Sequence, residues 1–164
     1  MRCSGLKHGA VFAVSILVLG AWPLAAEGGK ADIERGRYVA TMMGCNDCHT
    51  PNYIMAEGKV PEALWLTGSP FGWRGPWGTT YATNLRMRLA GMTEDEWVMK
   101  AKQLKARPPM PWFNLNQMKE EDMRAFYRYV RHLGVAGADA PAYVPPNEEP
   151  NPPYATFPSP PPAK

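Results

Sequence analysis

The chain has 164 residues, 45% of them hydrophobic, with 18 basic and 15 acidic side chains and a formal charge of +3. That length suits one domain with extensions. So small a charge, with no basic tract interleaved with aromatics, argues against a nucleic-acid partner.

Met1 to Gly9 carries Arg2 and Lys7 and no acid, and an apolar run from Ala10 to Trp22 leads to Pro23-Leu24-Ala25-Ala26. This is the pattern of a secretory signal over residues 1–26, cleaved after Ala26. The run falls short of the ~20 apolar residues of a membrane span, so a membrane association is expected only if the signal stays uncleaved. Cleavage removes two basic residues and no acid, leaving 16 basic against 15 acidic side chains. Cys3 leaves as well, so Cys45 and Cys48 are the only cysteines of the mature chain.

From Ala31 to about Met43 the sequence predicts a helix, with Asp32 as N-cap and Ile33, Gly36, Tyr38, Val39 and Ala40 as packing residues. A glycine inside a helix costs about 1 kcal/mol against alanine, so Gly36 points to a second helix crossing close by. Gly44 is the expected C-cap. Cys45-Asn46-Asp47-Cys48-His49 follows at once. Two cysteines three apart with a histidine directly after them is the pattern of covalent haem attachment. Each thiol adds to one vinyl group of the porphyrin, a short helical turn reaches both, and His49 lies where its imidazole meets the iron. A disulfide between the two cysteines would suit an exported chain, but haem c uses the same thiols and also gives His49 a role.

Thr50 to Gly91 reads as mostly irregular, with a short helix over Pro61–Leu66 opened by its proline. Thr67 to Gly78 is too rich in Gly and Pro for a helix or a central strand. A loop of that length usually has a special reason, and a haem supplies one, because Trp73, Trp77, Tyr81 and Leu85 then have an apolar body to pack on. Trp77 N–H, Tyr81 O–H, Arg74 and Asn84 offer donors to the haem propionates; alternatively these side chains are plain core.

Thr93-Glu94-Asp95-Glu96 is a capping box that opens a helix through Trp97, Val98, Ala101 and Leu104. Lys100, Lys102, Lys105 and Arg107 cluster towards its end, where they suit the helix dipole or form a basic rim for an acidic partner. Arg107-Pro108-Pro109-Met110-Pro111-Trp112-Phe113 reads as a stiff extended loop. A last helix runs to about Leu133 on Met123, Phe126, Tyr127, Tyr129 and Val130, with Gly134 as C-cap. Ten of the 18 prolines then lie between Pro141 and Pro162. That tail, residues 135–164, is expected to be extended, either strapped over the domain through Tyr143, Tyr154 and Phe157 or free to dock on a partner.

His49 fills one face of the iron. For the other face Met110 stands out, because its prolines hold a thioether in a rigid loop; His132, Met118, Met92 and Met87 are the alternatives.

Across Asp32 to Leu133 the chain resembles the class I cytochromes c: an N-terminal helix into CxxCH, a loop region, then a methionine loop before an aromatic C-terminal helix. Gly75-Pro76-Trp77-Gly78-Thr79-Thr80-Tyr81-Ala82-Thr83-Asn84-Leu85, the Thr93–Trp97 helix start and Met110-Pro111-Trp112 are similar to the small cytochromes and cytochrome subunits that serve bacterial periplasmic dehydrogenases. The resemblance implies an all-α fold of few helices and long loops around one haem, over residues 27–134. It implies Cys45 and Cys48 as haem anchors, His49 as proximal and Met110 as distal ligand, and Gly36 and Tyr38 crossing the last helix near Phe126 and Tyr129. The chain departs from such subunits in carrying one CxxCH and in Arg86-Met87-Arg88-Leu89-Ala90, where a Pro/Asp-containing turn is usual.

The function expected is therefore one-electron transfer in the periplasm of a Gram-negative bacterium, with no substrate chemistry. A dehydrogenase would be the donor and an oxidase or another cytochrome the acceptor. The other readings are a haem enzyme or gas sensor with an open sixth position, and a permanent cytochrome subunit of a dehydrogenase.

Overall fold

A computed structural model describes residues 25–158. The export signal expected over residues 1–26 lies outside the described residues except for its last two, as do residues 159–164 of the tail. The all-α expectation is corrected: among the described residues six helices are joined by a three-stranded mixed sheet. The helices are α1 (Ala25–Met42), α2 (Cys45–His49), α3 (Leu85–Ala90), α4 (Glu94–Gln103), α5 (Trp112–Gln117) and α6 (Glu120–Leu133), with a 3₁₀ turn at Glu62–Leu64. The strands are β1 (Gly72–Gly75), β2 (Gly78–Tyr81) and β3 (Tyr154–Thr156).

The packing of α1 across α6 forms the body of the molecule, and Gly36 sets its closeness. A Cβ at Gly36 would run into the Ala125 carbonyl and come within 2.5 Å of Tyr129 Cβ. Val39 and Ala40 share the buried face with Gly36, whereas Tyr38 is 64% exposed. Two residues turn a helix by about 200°, so Tyr38 points away from the crossing that Gly36 makes. α1 also begins before Asp32, which is therefore no N-cap; its carboxylate pairs instead with Arg128 of α6.

α4 starts at the expected capping box, with Thr93 Oγ1 accepting from Glu96 N and Glu96 accepting from Thr93 N. It packs on α6 through Trp97, whose Nε1 donates to the Met123 carbonyl at 2.9 Å and whose ring lies 5.6 Å from Phe126. α3 packs on α6 as well, and Leu89 is fully buried. Arg86, also buried, donates to the carbonyls of Leu133, Gly134 and Ala63 and so closes the C-terminal end of α6. A guanidinium at a helix C-terminus opposes the negative end of the helix dipole.

The sheet corrects the loop expected over Thr67–Gly78. Gly72-Trp73-Arg74-Gly75 is its central strand, antiparallel to β2 and parallel to β3. Gly75-Pro76-Trp77-Gly78 turns the hairpin with Gly78 at φ +94°, a conformation that suits glycine. β1 is extended because the tail gives it a second partner: Gly72 pairs with Tyr154 and Arg74 with Thr156. Arg74 also donates to the Glu148 carbonyl at 2.8 Å and pairs with Glu149 at 3.3 Å. Phe157 packs edge-on against Trp77 at 5.3 Å and tilted against Trp73 at 6.0 Å. Among the described residues no helix is long and apolar enough to cross a membrane.

Replacing Gly36 by valine forces the two helices apart against rigid backbone, and overpacking of this kind costs about 1–3 kcal/mol. Urea unfolding should show the midpoint falling by the corresponding amount; an unchanged midpoint would mean that α1 does not cross α6 at Gly36.

Candidate haem-attachment site

Gly44, at φ +65°, turns the chain out of α1 and into α2. The five residues of α2 carry both cysteines and the histidine. Cys45 and Cys48 are unpaired thiols. They sit three apart on one helical turn, which places them on the same face. Burial and the neighbouring Asp47 push the Cys45 thiol up to about 12, and the same two causes raise Cys48. A thioredoxin-like dithiol works through a lowered thiol, whereas burial and Asp47 act on this pair in the opposite direction. A structural zinc site needs four ligands, and the described residues contain no group of three or more His, Cys, Asp or Glu that could hold an ion.

His49 is buried at the end of α2, and its Nδ1 lies 2.7 Å from the Thr83 carbonyl oxygen. A carbonyl only accepts, so the ring proton is on Nδ1 and Nε2 carries the lone pair. Burial lowers the imidazole below its ordinary value, the Arg88 charge lowers it further, and the Thr83 carbonyl opposes both. With Nδ1–H donated to Thr83, the ring is held in the tautomer that leaves the Nε2 lone pair available to a metal.

The backbone around α2 is pinned to two loop segments. Gly68 N donates to the His49 carbonyl at 2.8 Å, Ser69 N to Ala82 at 3.0 Å and Leu85 N to Leu66 at 3.0 Å. Thr50 Oγ1 donates to Asn46 Oδ1 at 2.7 Å and accepts from Leu66 N at 2.8 Å. Residues 66–69 and 82–85 therefore run together past the end of α2, which brings the Thr83 carbonyl onto His49.

The other expected site residues lie further along this run. Asn84 caps α3, its Oδ1 accepting from Met87 N at 3.0 Å. Its Nδ2 donates to Ala136 and Ala138 at 2.8 and 3.2 Å, so its donors are engaged within the chain. This cap role had a sequence signal, an Asn just before Leu-Arg-Met-Arg-Leu-Ala. Tyr81 ends β2 and borders a cleft of about 360 Å³ between Pro70 and the tail at Val144 and Pro153. Trp77 lies in the hairpin turn; its Nε1 is buried and has no partner among the described residues. A buried donor left unpaired costs roughly 1–3 kcal/mol, and the chain's own atoms, Phe157 among them, cover this side chain.

Met110 is half-buried. The run around it turns at Pro108–Pro109 instead of staying extended, and α5 begins two residues later. Thr80 Oγ1 donates to the Pro108 carbonyl at 2.7 Å, and Asn116 Nδ2 ties α5 to Ala101 at 2.6 Å. Met110, Trp77 and Tyr81 share no hydrogen bond with Cys45, Cys48 or His49 among the described residues; what joins them is the segment from Gly78 to Asn84, β2 and the three residues after it. Thr80 holds the methionine loop at one point of it and Thr83 holds His49 at another. Three residues span at most about 10 Å, so both attachments belong to one small region.

Of the expected basic rim, Lys102 pairs with Glu120 at 2.8 Å and Arg107 stacks 3.9 Å above the Tyr143 ring. Lys100 lies one turn from Glu96, whose carboxyl is held low first by its hydrogen bonds from Thr93 and only then by the Lys100 charge. His132 is exposed near the end of α6.

Comparison of the chain with protein-family models, with curated proteins and with solved structures finds no match.

Because the folded value of His49 is lowered, its contribution to stability is complete above the ordinary histidine value of about 6.5 and is lost as pH falls through the lower folded value. Ligation of a metal through Nε2 would act in the same direction, since a ligand nitrogen carries no proton. Urea midpoints should therefore fall on acidification below about pH 6.5, before the carboxylates titrate. His49→Gln should flatten that segment of the profile, and an equal slope in the variant would contradict the assignment.

Proposed function

We propose that the chain is a c-type cytochrome, similar to those that serve bacterial periplasmic dehydrogenases. It would be a periplasmic carrier of single electrons with no substrate chemistry of its own. The observation that carries this reading is the His49–Thr83 hydrogen bond, placed directly after two unpaired thiols on one helical turn. Cys45 and Cys48 anchor the haem through thioether bonds. His49 offers Nε2 to the iron, in a tautomer held by Thr83. Met110 is the sixth ligand, on a loop held to β2 through Thr80 and Pro108.

The bound haem supplies an Fe(II)/Fe(III) couple, with a potential set by axial ligands, burial and surrounding hydrogen bonds. The residues of the chain hold both axial donors in place, which limits rearrangement between the two states and leaves little room for a substrate on the iron. A dehydrogenase is the donor in this reading and an oxidase or another cytochrome the acceptor. Lys102 in the last turn of α4 and Arg107 after it contribute little to choosing them, because both already have partners within the chain.

Absorption spectra of the exported protein, oxidised and reduced, with and without carbon monoxide, test the reading alongside Met110→Ala. The expected result is a low-spin spectrum with a thioether–iron charge-transfer band, unmoved by carbon monoxide and lost in the variant. A high-spin spectrum that shifts with carbon monoxide and ignores the substitution would overturn the ligation. It would favour an open-site haem protein.

A further inference from the structure

The carbonyl that orients His49 is itself held on both sides by the C-terminal tail. Four residues before Thr83, Thr79 exchanges two backbone hydrogen bonds with Val144, at 2.7 and 3.1 Å. One residue after it, Asn84 is 3% exposed and donates to the Ala136 and Ala138 carbonyls at 2.8 and 3.2 Å. Gly137 lies between those two carbonyls at φ +77°, and a Cβ there would meet Asn84 Nδ2 at 3.1 Å and Thr67 Cβ at 3.0 Å. The tail is fitted closely to Asn84 at this point.

We propose that tail residues 136–144 clamp the Thr83 carbonyl against His49, with Asn84 as the positioning residue. The clamp then sets how strongly Nε2 donates to the iron. The inference rests on the haem reading above and adds a role for the tail: it is part of the support of the redox centre. A firm Nδ1–H bond to a carbonyl gives an imidazole more anionic character and makes it a more basic ligand. A more basic ligand favours Fe(III), so releasing the clamp raises the reduction potential. Simple opening of the fold acts in the opposite direction, because water beside the haem favours the more highly charged ferric centre. The sign of the change separates the two.

Two variants of the full-length haem-loaded protein test this. Asn84→Ser keeps an oxygen to cap α3 but removes the amide that donates to the tail. Gly137→Val places a branched side chain at a positive φ and against Asn84, without touching His49. Proton NMR gives the exchange rate of the His49 Nδ1 proton with water, and a redox titration gives the midpoint. The expected result in both variants is severalfold faster exchange and a raised midpoint, with the spectrum still low-spin. Unchanged exchange and midpoint would overturn the clamp, and so would faster exchange with a lowered midpoint. Should Gly137→Val fail to fold, Asn84→Ser decides alone. A protein with no haem absorption would end the proposed function while the proton exchange still reads the clamp. Low-spin haem with unchanged exchange would end the clamp alone.

Discussion

A carbonyl oxygen has no proton to give, so the 2.7 Å contact between Thr83 and His49 Nδ1 decides which ring nitrogen remains available. The sequence motif brings two thiols and an imidazole together along the chain, but it does not orient the imidazole. That orientation comes from a loop residue more than thirty positions away. Residues 66–69 and 82–85 are paired by backbone hydrogen bonds, and Thr50 ties the motif to the first of these segments through its hydroxyl. The site is therefore a product of tertiary structure grafted onto a local helical turn.

The helical body gives this arrangement a fixed base. α1 enters the motif from its crossing with α6, and Gly36 lets the two backbones approach as closely as they do. α4 and α6 are joined by Trp97 at the core. At the rim Arg124 reaches Glu94, Asp95 and Glu120, and Arg128 reaches Glu94 and Asp32. These exposed ion pairs contribute little individually, so the buried crossing matters more. The tail completes the other side by adding β3 to the hairpin and by binding Thr79 and Asn84.

Features whose causes are local were legible in the sequence. The capping box at Thr93, the glycine that ends α6 and the close approach at Gly36 each follow from a residue and its immediate neighbours. The sheet was not legible, because β1 finds its parallel partner about eighty residues downstream. No pattern within Gly72–Gly75 announces that partner. α3 was hidden for a different reason: six residues between two loops make too short a periodic signal, although Asn84 stood as a cap before them. Tyr38 shows that an aromatic residue in an amphipathic helix need not face the core when its phase is wrong. CxxCH pointed to the chemistry proposed for the site, but the acceptor for His49 and the hold of the tail on that acceptor arise only in the tertiary structure.

The most direct test of covalent haem attachment is acid–acetone extraction of the exported protein, followed by the mass of the polypeptide and its alkaline pyridine spectrum. The expected result is one haem retained per chain, with both thiols closed to alkylation, and with Cys45→Ser or Cys48→Ser shifting the pyridine band to that of a single thioether. Haem that leaves with the solvent, or two thiols that remain free to alkylate, would contradict the assignment of Cys45 and Cys48.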